Sequence, residues 1–270
     1  MDDHSVAMRV LTRVGLVKLP GYFRRLLLIL LIIAGAVPVG ADEIRVAVAS
    51  NFAGAAREIA SRFEQETGHR AVIASGATGK HYAQITNGAP FDVFLAADAE
   101  RPERLESSGI ALPGSRFTYA LGELVLWSPR PGYVDPDGRV LETGDFRHLA
   151  IANPKIAPYG RAAREVLTAA GLWEALQPRL VRGENIAQTF QFVGSGNAEL
   201  GFVAQSQVQR PDRAIYGSRW EVPPSLYTPI VQQAVLLADD AAARAFARYL
   251  QSAEARKIIR DFGYGLPDDH

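Results

Sequence analysis

The sequence contains no cysteine among its 270 residues. Disulfide frameworks, thiolate zinc sites, cysteine nucleophiles and cysteine-ligated iron–sulfur clusters are therefore excluded. An excess of either charge is also lacking, since 29 basic residues balance 29 acidic ones, and this composition does not favour nucleic-acid binding. What is present is an apolar fraction of 48% with 21% charged residues, which is typical of a globular chain. The length allows one large domain or two lobes.

The first 41 residues differ from the rest of the chain. The pair Arg24-Arg25 precedes an apolar run at 26–39, which small residues separate from Asp42. This run is shorter than the roughly 20 residues that span a bilayer as a helix. We therefore interpret 1–41 as a signal peptide cleaved after Ala41, with Met1 or Met8 as the start, and expect a periplasmic protein. An uncleaved membrane anchor is the alternative.

Strand-like and helix-like segments alternate after residue 42. Apolar residues alternate with others over 44–48, recur at helical spacing over 55–63, and resume the same rhythm from 149–152. This order predicts an α/β fold with parallel strands and right-handed crossovers. Two such series predict two lobes with a cleft between them.

Several other segments carry simple predictions. A single long strand is expected over 117–127 and a helix over about 161–170. A third strand is expected at 91–95. The last strand is expected at 230–238, followed by helices at about 240–251 and 253–261.

Four turns from a predicted strand into a helix are rich in small, hydroxyl and amide residues: 49–52, 74–79, 153–160 and 183–188. Ligands of α/β sheets bind beyond the carboxyl ends of strands, where helix starts present free N–H groups and a positive dipole end. Such turns bind anions. Because Lys80 and Lys155 are the only cations in the turns, we expect neutral donors around a fully ionised small anion. Plain N-capping is the alternative for each turn.

Motifs for other chemistry are incomplete. The segment 76–80 lacks the Walker A spacing and its final Ser or Thr, and no G-x-S-x-G elbow occurs. The histidines after residue 41 are isolated, which argues against a zinc site. Ser50 as a nucleophile would need a base from elsewhere in the fold. Asp92 and Asp98 form a possible carboxylate pair, although we favour a helix cap for Asp98 and a solvent or hinge position for Asp92.

The four turns resemble those of periplasmic molybdate-binding proteins, the solute receptors of molybdate ABC importers. The matching stretches include AVASNFAGA, IANPKIAPYGRAAREVL, GENIAQTFQFVGSGNAELGFVA and YTPIVQQAVLL, and together they cover most of 44–267. The resemblance implies a type II periplasmic binding protein fold, in which two α/β lobes are joined by two crossing strands with the ligand cleft between them. By analogy, lobe I comprises 42–120 and 231–270, lobe II comprises 121–230, and the crossings lie near 119–122 and 229–232.

The resemblance also implies which residues hold the oxyanion. Ser50 would give its hydroxyl and N–H, Thr78 its hydroxyl, and Asn51, Tyr159 and Ile186 their main-chain N–H groups. Molybdenum would be bound as the oxyanion, with no direct protein–metal ligands and no cofactor beyond the ligand molybdate or tungstate. The second turn has Gly76 and Ala77 where relatives commonly carry hydroxyl residues, so its number of donors is left open.

The function implied is high-affinity extracytoplasmic binding of molybdate and tungstate for delivery to the permease subunit of an ABC importer. The protein is expected to be a monomer that binds no nucleic acid and catalyses no reaction. One alternative is a receptor for another anion, such as sulfate, phosphate or a carboxylate. The other is a secreted hydrolase that uses Ser50.

Overall fold

The computed structural model describes residues 42–211 and 214–267. The signal peptide predicted for 1–41, its cleavage point and its start lie outside the described residues. Within these ranges, every helix is too short or too polar to cross a membrane.

The described chain forms two five-stranded sheets, each covered by helices, and this confirms the α/β fold with two lobes. The strand order is β2-β1-β3-β10-β4 in the first sheet and β7-β6-β8-β5-β9 in the second. The strands are β1 (Glu43–Ala49), β2 (Arg70–Gly76), β3 (Val93–Leu95), β4 (Phe117–Gly122), β5 (Leu124–Ser128), β6 (Leu149–Ala152), β7 (Leu180–Gly183), β8 (Leu200–Ala204), β9 (Ser218–Glu221) and β10 (Ile230–Leu236).

Ten α-helices connect or follow these strands in the described ranges. They are α1 (Ala53–Thr67), α2 (Thr78–Thr86), α3 (Glu100–Ser107), α4 (Val140–Thr143), α5 (Pro158–Ala169), α6 (Trp173–Leu176), α7 (Ile186–Gly194), α8 (Gln205–Val208), α9 (Ala241–Leu250) and α10 (Ala253–Asp261). Short 3-10 turns lie at Gln177–Arg179 and Pro224–Leu226.

Parallel pairing is confined to one side of each sheet, the first three strands in each order. β1 is parallel to β2 and β3, and β6 is parallel to β7 and β8. The prediction of parallel strands is confirmed for these four pairs. It is wrong for the other four, because β10 is antiparallel to β3 and β4, and β5 is antiparallel to β8 and β9. Each lobe has its own apolar core, with Phe63 and Phe246 in the first and Leu126 and Phe202 in the second.

The expected long strand over 117–127 is two strands in different sheets. β4 ends at Gly122 and pairs with β10, whereas β5 begins at Leu124 and pairs with β8 and β9. The residue pattern does not reveal the break, because strand-like apolar residues continue from β4 into β5, which is buried throughout. The chain returns from the second sheet to the first between Glu221 and Ile230, and Ile230 pairs with Gly122.

Smaller differences concern element ends. Helix α5 starts at Pro158, three residues before the expected start, because proline fits the first turn of a helix well. Strand β10 ends at Leu236 and β3 begins at Val93. Asp98 accepts a hydrogen bond from the main-chain N–H of Arg101, as expected for a cap, at 3.1 Å.

Asp92 is half-buried at the surface, in keeping with the expected solvent position. Its carboxylate accepts the main-chain N–H of Arg45 on β1 at 2.6 Å. It therefore anchors the start of β3 to its neighbouring strand.

Candidate anion-binding site

All five residues predicted for the site line one small cavity between the two sheets: Ser50, Asn51, Thr78, Tyr159 and Ile186. Each of the five residues is at most 8% exposed. The turns that follow β1 and β2 approach it from the first lobe, and those that follow β6 and β7 approach it from the second. Carboxyl ends of strands from both lobes thus meet at one point, where α/β proteins bind ligands.

The first turn offers a hydroxyl and a main-chain N–H. The N–H of Ser50 donates to the carbonyl of Gly76 at 2.9 Å in this structure, and its donation to the anion stays a prediction. The Ser50 hydroxyl remains, and it accepts a long hydrogen bond of 3.4 Å from the N–H of Ala187 in the second lobe. The side chain of Asn51 donates to Gln232 and Tyr264, which leaves its main-chain N–H as the group suited to an anion.

The second turn presents Thr78 at the start of α2. Its hydroxyl oxygen accepts the N–H of Ala97 at 3.1 Å, and the side chain is 1% exposed. Because this bond uses the oxygen as an acceptor, the hydroxyl proton is free to be donated to an anion. Gly76 and Ala77 add no hydroxyl, so further donors in this turn can only be main-chain groups.

The third and fourth turns present helix starts of the second lobe. Tyr159 lies in the first turn of α5 and Ile186 is the first residue of α7. N–H groups at these positions have no acceptor within their own helix. The Tyr159 hydroxyl lies 3.5 Å from the amide nitrogen of Gln232, and burial raises the pKa of this phenol well above its ordinary value, which keeps it neutral.

N-capping explains only one of the four turns. Asn185 caps α7, because its side chain accepts the N–H of Gln188 at 3.0 Å. Helices α1, α2 and α5 begin without a side-chain cap bond. The hydroxyl and amide side chains of the other turns therefore have other uses.

The electrostatics of the cavity come from neutral groups. No charged side chain lines it, and Lys80 and Lys155 are exposed to solvent. The starts of four helices supply partial positive charge instead. In the part of the chain that the structure describes, no group of three or more His, Asp or Glu side chains could hold a metal ion. The arrangement can bind an anion through hydrogen bonds alone.

Sequence reasoning missed the residues behind the cavity. Gln232 is fully buried and contacts the side chains of Asn51, Tyr119 and Tyr159. The available signal was its position in β10, where the alternation places it on the same buried face as Ile230 and Ala234. A polar residue at such a position needs hydrogen-bond partners inside the protein.

A model of bacterial extracellular solute-binding proteins matches residues 44–265. The chain belongs to this family of bacterial extracellular solute-binding proteins. It is 55% identical over 229 residues to the molybdate-binding protein ModA of Azotobacter vinelandii, a match that covers 84% of this chain and 91% of that protein. It is 51% identical over 237 residues to ModA of Rhodobacter capsulatus, with 87% of this chain and 92% of that protein covered.

A solved structure extends the likeness to the fold. The periplasmic molybdate-binding protein of Azotobacter vinelandii matches with a TM-score of 0.80 at 47% identity, over 83% of this chain and 99% of that one. The resemblance predicted from the turn motifs and the solute-binding protein fold are thereby confirmed.

Proposed function

We propose that this solute-binding protein captures molybdate, and tungstate with it, in the periplasm and delivers the oxyanion to the permease subunit of an ABC importer. The observation that carries the proposal is the convergence of four turns from two lobes on one uncharged cavity. The names of its relatives, which are molybdate-binding proteins at 55% and 51% identity, support the choice of ligand.

The donors suit a tetrahedral dianion. The hydroxyls of Ser50 and Thr78 and the N–H groups of Asn51, Tyr159 and Ile186 give five hydrogen bonds, with molybdenum held only through its oxygens. Hydrogen bonds to charged groups contribute about 1.5–3 kcal/mol each, so five can support sub-micromolar affinity after the cost of closing the lobes. An anion with shorter metal–oxygen or sulfur–oxygen bonds reaches fewer donors, and each unmet donor costs about 1–3 kcal/mol. This is the proposed basis for rejecting sulfate.

A hydrolytic role for Ser50 is not supported by its surroundings. None of the residues lining the cavity is a histidine, a lysine or a carboxylate that could act as a base. The described contact of its hydroxyl is with the main-chain N–H of Ala187, a donor that cannot accept the hydroxyl proton. We therefore propose a binding protein without catalysis and without a cofactor. It would act as a monomer in its closed form and bind no nucleic acid.

The test is isothermal titration of the exported protein with molybdate, alone and in excess sulfate. We expect one-to-one binding that sulfate does not displace, and its loss in the double variant Ser50→Ala, Thr78→Ala. The matched control is Ser195→Ala, Thr86→Ala, which removes the same groups at exposed positions away from the cavity. Saturation by sulfate, phosphate or a carboxylate without molybdate binding would overturn the proposed ligand. Hydrolysis of esters that Ser50→Ala abolishes would overturn the non-catalytic role.

A further inference from the structure

A buried polar network lies behind the cavity and joins the two lobes. Each of its side chains is at most 5% exposed. Its members are Asn51, Tyr119, Tyr159, Ser206, Gln232 and Tyr264. None carries a formal charge, since burial raises the pKa of each of the three phenols above its ordinary value. Buried polar networks of this kind fix one arrangement when all members find partners.

Gln232 occupies the centre of the network. Its side-chain oxygen accepts from the amide of Asn51 at 2.8 Å and lies 3.1 Å from the hydroxyl of Tyr119. Because the oxygen accepts from the Asn51 amide, the amide nitrogen of Gln232 points the other way. There it lies 3.5 Å from the hydroxyl of Tyr159. Gln232 thus contacts the first lobe through its oxygen and the second lobe through its nitrogen.

The crossing strand β4 leaves room for this meeting. A Cβ atom on Gly122 would overlap the hydroxyl of Tyr159 and lie 2.8 Å from the amide nitrogen of Gln232. The two groups therefore meet above a bare glycine of one crossing strand, and Gln232 itself belongs to the other. The contact lies at the point where the lobes are joined.

Asn51 is held from a second direction. The hydroxyl of Ser206 in α8 donates to the carbonyl of Asn51 at 3.1 Å, and the hydroxyl of Tyr264 lies 2.8 Å from the same oxygen. With its side chain bonded to Gln232 and its carbonyl bonded to these hydroxyls, Asn51 has little freedom to turn its main-chain N–H away from the cavity.

We infer that Gln232 is a positioning residue for anion binding, which holds Asn51 of one lobe and Tyr159 of the other so that their main-chain N–H groups converge on the ligand. This inference rests on the proposed function. It gives the side chains at positions 51 and 159 a role, although neither is used as a donor to the anion. Because the contact between Gln232 and Tyr159 joins the two lobes, its loss is expected to speed release of the anion.

The test uses Gln232→Met, which keeps side-chain length and removes the hydrogen bonds, and Tyr159→Phe, which removes one oxygen and keeps the main-chain N–H. The matched control is Gln233→Met. Gln233 neighbours Gln232 on the strand but bonds Arg116 and Thr118, away from the cavity. Molybdate association and dissociation rates are measured by stopped-flow fluorescence on the exported protein, together with the melting temperature without ligand.

We expect each of the two variants to raise the dissociation rate about tenfold with a much smaller change in association rate, since interface changes act mainly on dissociation. The double variant should release molybdate no faster than the more impaired single variant, because both substitutions remove the same contact between Gln232 and Tyr159. Gln233→Met should behave as wild type. If both Tyr159→Phe and Gln232→Met release molybdate at the wild-type rate, this inference is overturned and the proposed function still stands. Failure of the wild type to bind molybdate would overturn the proposed function and the inference with it.

Discussion

The main-chain N–H of Gly79 donates to the carbonyl oxygen of Ile156 at 2.8 Å, so the second and third turns of the site touch through their backbones. Gly79 belongs to α2 of the first lobe, and Ile156 precedes α5 of the second. A Cβ atom on Gly79 would lie 3.0 Å from both the Cα and the oxygen of Ile156. Because Gly79 lies inside a helix, this close approach and not an unusual φ angle is what requires glycine.

Substituting Gly79→Ala should therefore weaken anion binding without unfolding the protein. The added methyl group pushes the lobes apart in the closed form, and we expect affinity for molybdate to fall about tenfold, equivalent to about 1.4 kcal/mol. The ligand-free protein should be as stable as wild type or more so, because alanine is favoured over glycine in a helix by about 1 kcal/mol. Titration calorimetry and urea unfolding measure the two effects.

The control for this substitution is Gly194→Ala. Gly194 ends α7, and a Cβ atom there would meet nothing within 4 Å. It should bind molybdate as wild type does. Equal affinity of Gly79→Ala and Gly194→Ala would show that the contact between the lobes does not limit closure.

Local patterns were sufficient to predict the elements that position the site. The spacing of Ala55, Ile59 and Phe63 predicted α1, and those residues are buried on one face of that helix. The turns at 49–52 and 183–188 were also predicted from local sequence, because small and amide residues mark the end of a strand and the start of a helix within a few positions.

Contacts between distant residues could not be predicted in this way. Asn51 and Gln232 are 181 positions apart, and no local pattern indicates that their amides meet. The hydrogen bond from the N–H of Ser50 to the carbonyl of Gly76 depends on the register of β1 against β2, which the sequence alone does not define. The residue pattern alone did not indicate the break between Gly122 and Leu124, because the strand-like apolar sequence of β4 continues into β5.

The contribution of Thr78 to molybdate binding should come from its hydroxyl and not from its methyl group. We expect Thr78→Val to weaken molybdate binding by about 1–3 kcal/mol, because the variant loses a donor to the anion. It also leaves the N–H of Ala97 without its acceptor, so a loss of stability is expected as well. Thr78→Ser keeps both hydrogen bonds and should retain most of the affinity. Calorimetry on the two variants separates the roles, and equal weakening by valine and serine would contradict the proposed donor.

Gly160 should be required for the stability of the second lobe. A Cβ atom on this residue would overlap the carbonyl oxygen of Ala152 at the end of β6 and lie 3.0 Å from the carbonyl carbon of Asn153. The neighbours are backbone atoms that cannot rotate away, so we expect Gly160→Ala to lower the free energy of unfolding by about 1–3 kcal/mol. Urea unfolding of the ligand-free protein measures this, with Gly194→Ala again as the control. Unchanged stability would mean that α5 shifts freely against its strand.

His81 should make the protein less stable in mild acid. The ring is 4% exposed, and its Nδ1 lies 3.1 Å from the amide oxygen of Gln84. Its Nε2 lies next to Gly76 and has no hydrogen-bond partner among the described residues. Burial lowers the pKa of this imidazole, and the charge of Lys80 lowers it further, against an opposing effect of the bond to Gln84. The folded protein therefore resists protonation at a pH where the unfolded chain accepts it.

The sign of the effect follows from this difference. Below about pH 6.5 the unfolded chain binds a proton at His81 that the folded protein does not, so the free energy of unfolding falls as pH decreases, by at most about 1.4 kcal/mol per pH unit. The loss levels off below the folded pKa. Urea unfolding between pH 8 and pH 5 should show a smaller decrease for His81→Asn than for wild type. The measurements stop at about pH 5 so that Glu106 does not affect the slope. Hydrogen bonds from Arg116 and Gly114 lower the pKa of Glu106, so the stability that its carboxylate contributes is lost only at more acidic pH. Parallel slopes for wild type and His81→Asn would show that the buried ring accepts a proton as easily as the unfolded chain does.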